Sequence, residues 1–153
     1  MIAFLLPLSI NLLAAVPLQS GRVVAVEDGH VLQVRLANLN RRVRLACVDA
    51  PDQSQQPWAQ QSRAALAAEL PVGTAVTVEL RARDVYGRIV GVVRRGGFDV
   101  APEMLKTGML FVHDGYLGRC DDLPYAAAET TAKELNVGCG TSPAVLSAPG
   151  ICA

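Results

Sequence analysis

A chain of 153 residues that is 51% hydrophobic and 18% charged has material for one ordinary core and is too short for two. Its fourteen basic residues cancel its fourteen acidic ones, so global charge speaks neither for nor against a nucleic-acid partner. The four cysteines show no CxxC or Cys/His ligand spacing, which argues against structural zinc and, with their even count, for disulfides.

The first fifteen residues, Met1 to Ala15, carry no charged side chain and run Phe4-Leu5-Leu6-Pro7-Leu8 before Leu12-Leu13. That is the length of a signal-peptide apolar region, short and Pro-broken for a membrane span. Residues 1–20 are therefore read as a leader, with Ala15 and Ser20 as candidate cleavage points, and the chain as exported to the periplasm or medium. From Gly21 the pattern is β. Arg22 to Glu27 reaches Asp28-Gly29, a hairpin signal, and Val31 to Leu36 returns. Asn38-Leu39-Asn40 makes a second turn into a strand carrying Val43, Arg44, Leu45 and Cys47. Pro57 opens a helix with Trp58, Ala65, Leu66 and Leu70 on one face, which Pro71 and Gly73 end. Thr74 to Leu80 and Arg88 to Val93 alternate as strands about the Asp84-Val85-Tyr86-Gly87 turn. A Gly96-Gly97 turn, a short helix near Pro102 to Thr107, the Gly108 cap and apolar Met109 to Val112 follow. Asp121 to Leu135 reads as the closing helix with aspartates at its N-terminus, and residues 138–153 as an irregular tail. Three strands, a helix and two strands is the order of a five-stranded OB-type β-barrel, an α+β fold with appended helices over residues 21–137.

The chemistry concentrates in Arg44-Leu45-Ala46-Cys47-Val48-Asp49-Ala50-Pro51-Asp52. The strand delivers one guanidinium and two carboxylates to its end, where Pro51 stops it, a combination suited to holding a phosphate beside a hydrated cation. A surface ion pair of Arg44 and Asp49 is the competing reading. Twelve of the fourteen basic residues are arginine, the side chain whose planar fork suits phosphate. Arg41-Arg42, Arg81-Ala82-Arg83 and Arg94-Arg95 could form a positive face, or simply solvated hairpin ends.

Asp28-Gly29-x-x-Leu32, Arg44-Leu45-x-x-Val48-Asp49-Ala50-Pro51, Asp84-x-Tyr86-Gly87-Arg88, Gly96-Gly97, Gly108 and Ala128-Glu129 fall in one order from Gly21 to Val137. Together they resemble the staphylococcal nuclease (thermonuclease-like) family. Ala46-Cys47 and Tyr116-Leu117-Gly118-Arg119-Cys120-Asp121 look most like an exported bacterial branch of it. The resemblance implies metal-dependent hydrolysis of DNA or RNA phosphodiesters, single- or double-stranded, with Ca²⁺ as the cofactor, by a monomer that is free of the membrane once the leader is removed. It also implies roles. Arg44 and Arg88 would grip the phosphate. Asp49 would be a metal ligand and Ala50 a carbonyl ligand. Asp52 would orient or deprotonate the attacking water, and Tyr86 would hydrogen-bond a terminal phosphate.

The departures from that pattern matter. Asp28-Gly29-His30-Val31 stands where the family has Asp-Gly-Asp-Thr, so His30 would be a metal ligand in place of a carboxylate, or else an exposed turn histidine. Its nitrogen would favour Mn²⁺ or another transition metal over Ca²⁺. Asp52 is one methylene shorter than the family's usual Glu, His113 reads as a surface residue, and Gly138 replaces a closing Trp. The rival readings are a degenerate member that binds nucleic acid or another partner without cleaving, and an exported OB module for glycan or protein ligands. The expected disulfides are Cys47 with Cys120 and Cys139 with Cys152.

Overall fold

The Ala37-Asn38 turn sets the register of the sheet. Both residues have positive φ, 45° and 69°, the backbone of a two-residue hairpin turn whose twist matches that of its strands. It joins β2 (Val31–Leu36) to β3 (Leu39–Leu45), so Leu36 pairs directly with Leu39. The turn expected at Asn38-Leu39-Asn40 thus comes one residue earlier, because the left-handed positions fall on Ala37 and Asn38, and alanine does not advertise one.

The computed structural model describes residues 17–113 and 120–139. β1 (Leu18–Val26) pairs antiparallel with β2 on one side and with β5 (Ala75–Arg83) on the other, and β5 pairs antiparallel with β6 (Ile89–Arg95). A parallel β3–β6 pairing, with Val43 beside Ile89 and Arg44 beside Val90, closes the ring. The result is the OB-type five-stranded barrel in the order β1-β2-β3-β6-β5, as the sequence predicts. Of the leader expected over residues 1–20, residues 1–16 lie outside the described residues, while Leu18, Gln19 and Ser20 belong to β1 and pair with Glu79, Val78 and Thr77.

Inward-facing Val23, Leu32, Val34, Val43, Leu45 and Val78 fill the barrel. Ile89 to Val93 are buried without alternation, so β6 is covered on both faces, unlike the half-exposed strand that its pattern suggests. Cys47 has φ 60°. That left-handed residue splits the expected single strand into β3 and β4 (Val48–Asp49), and β4 pairs with β8 (Phe111–Val112). A further short strand, β7 (Phe98–Asp99), extends β6.

Among the described residues three helices complete the fold: α1 (Trp58–Glu69), α2 (Ala101–Lys106) and α3 (Tyr125–Leu135). The last begins at Tyr125 and not at Asp121, since Pro124 is its cap and the aspartates precede it in a turn. Asp122 instead binds Arg81 at 2.8 Å. Buried Tyr125 donates its hydroxyl to Asp99 at 2.7 Å, tying α3 to β7. Gly138 lies so close to Gly108 that a Cβ on it would come within 2.3 Å of the Gly108 Cα. No large residue fits there, which accounts for a glycine where the family often has Trp. Cys47 and Cys120 form a disulfide across 73 residues. Cys139 is disulfide-bonded too, and its expected partner Cys152 lies outside the described residues, as does the 140–153 part of the tail.

Candidate functional site

The β1–β2 turn is locked by Asp28, whose Oδ1 accepts the amides of His30 (2.8 Å) and Val31 (2.7 Å). Between them Gly29 is pressed against α1. A Cβ there would meet Ser62 Oγ at 1.9 Å and the Ala50 Cβ at 2.9 Å. Ser62 is itself buried and donates its hydroxyl to the Met109 carbonyl at 2.6 Å. Helix, turn and the Asp49-Ala50 segment are thereby packed into one unit, and His30 is carried inward.

Asp49 Oδ1 is the hub of that unit. It accepts the Ala50 amide at 3.0 Å and lies 3.4 Å from His30 Nε2 and 3.5 Å from an Arg44 Nη. The Arg44 side chain is only 7% exposed, so this is a buried-side pairing and not the surface ion pair that the sequence left open. His30 is not an exposed turn residue either, with 16% of its side chain in contact with solvent. Its Nδ1 is 3.2 Å from Asp28 Oδ1 but unaligned for a hydrogen bond, leaving that nitrogen buried and unpartnered among the described residues. Burial holds the imidazole below its ordinary pKa; Asp28 and Asp49 pull upward without prevailing, and Arg44 and Arg88 reinforce the burial. The ring is therefore neutral at neutral pH and can offer a lone pair.

Arg88 is held from the other side. Its Nε donates to Asp84 Oδ2, and its amide reaches Asp84 Oδ1 at 2.9 Å, as does the Tyr86 amide. Burial opposes ionising Asp84, but the hydrogen bonds and charge of Arg88 outweigh it and keep the carboxyl below its ordinary range. Tyr86 is 79% exposed with its ring 5.3 Å from the Arg88 guanidinium carbon, a cation–π contact. The structure thus brings Arg44, Asp49, Ala50 and His30 together, with Arg88 acting on the same imidazole and Tyr86 beside Arg88. Among the described residues Asp52 has no hydrogen bond or ion pair to any of them. It sits in an exposed turn where its amide donates to the Gln55 side-chain oxygen at 2.6 Å, and among the described residues its carboxylate has no ion-pair partner.

Val31 is fully buried and donates only its amide. Two roles were not read from the sequence: Asp28 as the clamp of the His30 turn, and Asp84 as the anchor of Arg88. The i,i+4 spacing of Asp84 and Arg88 was the available signal for the second. Glu129 also gains a role: its Oε1 accepts the Val112 amide at 2.8 Å, joining α3 to the strand that pairs with β4.

Among the described residues the groups that face each other here and could meet a divalent cation are the Asp49 carboxylate and His30 Nε2, with the Asp28 oxygen on the far side of the ring occupied by two amides. Among the described residues no three His, Cys, Asp or Glu gather as a metal-holding group. This pair fits a nitrogen-accepting ion that keeps most of its water and falls short of the oxygen shell that Ca²⁺ takes.

Residues 42–139 match the family model described as staphylococcal nuclease homologue. The chain belongs to that family. An "uncharacterized endonuclease" of Escherichia coli is 36% identical over 99 residues, covering 63% of this chain and 62% of that protein. A Haemophilus influenzae protein of the same description is 31% identical over 118 residues, 76% of this chain and 64% of its own. The "micrococcal nuclease" of Shigella flexneri is 31% identical over 132 residues, 80% and 74% respectively. The chain thus spans 62% of the length of the Escherichia coli relative.

Proposed function

We propose that this member of the staphylococcal nuclease homologue family hydrolyses nucleic-acid phosphodiester bonds. The observation that carries the reading is the meeting of Arg44, Asp49 and His30 at one largely buried point, with Arg88 held by Asp84 at the start of the strand that pairs with β3. Paired, pre-oriented guanidinium groups suit the equatorial oxygens of a phosphoryl centre, where negative charge builds in the transition state. Asp49 and His30, with the Ala50 carbonyl, would hold a divalent ion, which would supply Lewis-acid polarisation and a more acidic water. The neutral imidazole leaves the metal position one negative charge poorer. Tyr86, exposed beside Arg88, would meet a terminal phosphate or a base. Asp52, on the exposed turn that follows Ala50 and Pro51, would orient or deprotonate the attacking water.

The imidazole in place of a carboxylate at position 30 and the two-group donor set favour a second reading, a member that binds nucleic acid without cutting it. Incubating the chain with single-stranded DNA, duplex DNA and RNA in Ca²⁺, Mg²⁺ and Mn²⁺ tests both. Cleavage abolished in Asp49→Ala and Arg88→Ala supports the nuclease. Salt-sensitive binding with no cleavage in any metal supports the second reading. Export, a monomeric state and a mature chain free of the membrane belong to the same proposal, supported by the Cys47–Cys120 bond, which suits an oxidising compartment. Among the described residues no helix is long and apolar enough to cross a membrane. The N-terminus of the mature protein, sequenced from the periplasm or medium, tests it.

A further inference from the structure

The mouth of the barrel at the Ala37-Asn38 end holds a cavity of about 450 Å³, within the range of small-ligand sites. Its floor is apolar, from buried Leu36 and Ile89, with exposed Leu39 at its edge. Gln19 lies on the β1 side, and the rim carries Arg41 and Arg83. These two arginines differ from the rest. Every other described arginine has a hydrogen-bond or ion-pair partner: Arg22, Arg35, Arg42, Arg44, Arg63, Arg81, Arg88, Arg94 and Arg95. Among the described residues Arg41 and Arg83 have none.

The register explains how they meet. Arg83 pairs with Ile89, and Ile89 pairs with Val43. Alternation along β3 then puts Arg41 on the same side as Val43, facing the barrel interior. The β3–β6 pairing covers only Val43 to Leu45, so Arg41 lies just beyond it, exposed at the open end of the barrel where the cavity begins. Two unneutralised guanidinium groups at one cavity repel each other, and a dianion between them would reverse that cost. The same alternation turns Arg42 and Arg44 to the other side of β3, so the cavity is separate from the Asp49 site and backs onto it through the β3–β6 seam.

We propose that this cavity binds a nucleoside phosphate: Arg41 and Arg83 take the phosphate, the Leu36 and Ile89 floor with Leu39 at its edge takes the base or sugar, and Gln19 meets a base edge. The ligand is either a free mononucleotide or the phosphorylated end of a nucleic-acid strand, which share this chemistry. The inference rests on the cavity alone and would stand if the chain cut nothing.

The test is methyl NMR of the full chain in EDTA, following Leu36, Leu39 and Ile89 during titration with a deoxynucleoside 5′-monophosphate, inorganic phosphate, and an oligonucleotide with and without a 5′-phosphate. The expected result is saturable shifts with the mononucleotide, weakened about tenfold or more in Arg41→Gln/Arg83→Gln at unchanged Tm, and retained in Arg44→Gln/Arg88→Gln. Tighter binding of the 5′-phosphorylated oligonucleotide would identify a strand end as the ligand, and tighter binding of the mononucleotide a free nucleotide. Equal shifts in the Arg41→Gln/Arg83→Gln variant, equal response to inorganic phosphate alone, or no dependence on the 5′-phosphate would each overturn the proposal.

Discussion

Asp84 holds Arg88 twice over, accepting from both its guanidinium Nε and its backbone amide. The acid therefore fixes the chain path and the charge together, and the two functions separate by mutation. Asp84→Asn keeps an amide acceptor and loses the charge; it should cost on the order of 2 kcal/mol and lower cleavage, if the site cleaves, by freeing Arg88. The sign of the pH effect follows from the depressed folded-state pKa. That stability is present above the ordinary 3.8 of an aspartate and is lost as pH falls through the lower folded value. Wild type should thus lose stability more steeply than Asp84→Asn below about pH 4 in chemical denaturation. Parallel curves would mean that the pair contributes nothing to the acid limb.

Gly29 and Ser62 make a second, purely steric prediction. A methyl at 29 would overlap Ser62 Oγ, so Gly29→Ala should destabilise by about 3 kcal/mol, at the upper end of overpacking costs. Ser62→Gly should recover part of this in the double variant, and a thermal-melt double-mutant cycle measures the coupling. Additive losses would show that the turn relaxes away from α1.

The Cys47–Cys120 bond closes 73 residues of separation around α1, α2 and two of the five barrel strands, β5 and β6. In the chain-entropy model a loop of that length is worth about 4 kcal/mol. Reducing the protein, or changing both cysteines to alanine, should lower Tm by many degrees. An unchanged Tm would place the stabilisation in the packing of β4 on β8.

What the sequence made legible follows from where its signals were local. Asp28-Gly29, Pro57 and Gly87 declare turns and a helix start through their own backbone preferences, and the five barrel strands follow from them. Cys47, Ala37 and Tyr125 were misread for the opposite reason: nothing in a cysteine or alanine announces a left-handed residue, and the Asp121-Asp122 pair imitates a helix N-terminus while serving Arg81. At the site, Arg44 and Asp49 were readable because they share one short stretch. The pairing of Arg88 with Asp84 spans five positions and was hidden behind the Tyr86-Gly87 turn signal. The turn that carries Asp52 is closed by its amide donating to the Gln55 side-chain oxygen, a contact that no residue spacing specifies.

The metal preference is the prediction that bears most on chemistry. His30 Nε2 faces Asp49 Oδ1 at 3.4 Å, and burial keeps the ring neutral, so a divalent ion there would meet one full negative charge and one nitrogen. Ca²⁺ draws its binding from several oxygens, whereas Mn²⁺ accepts nitrogen more readily. Wild-type cleavage should accordingly be greater in Mn²⁺ than in Ca²⁺. His30→Asp restores an oxygen ligand, although it also removes ring volume beside Asp28. Asp52→Glu lengthens the side chain by one methylene, and a displacement of about 1 Å can alter rate on the order of a hundredfold. The combined His30→Asp/Asp52→Glu variant should therefore gain Ca²⁺-dependent cleavage over wild type, with Asp49→Ala inactive in both metals. Robust wild-type cleavage in Ca²⁺ alone would defeat this prediction. It would mean that Asp49, backbone carbonyls and water hold the ion without help from residue 30.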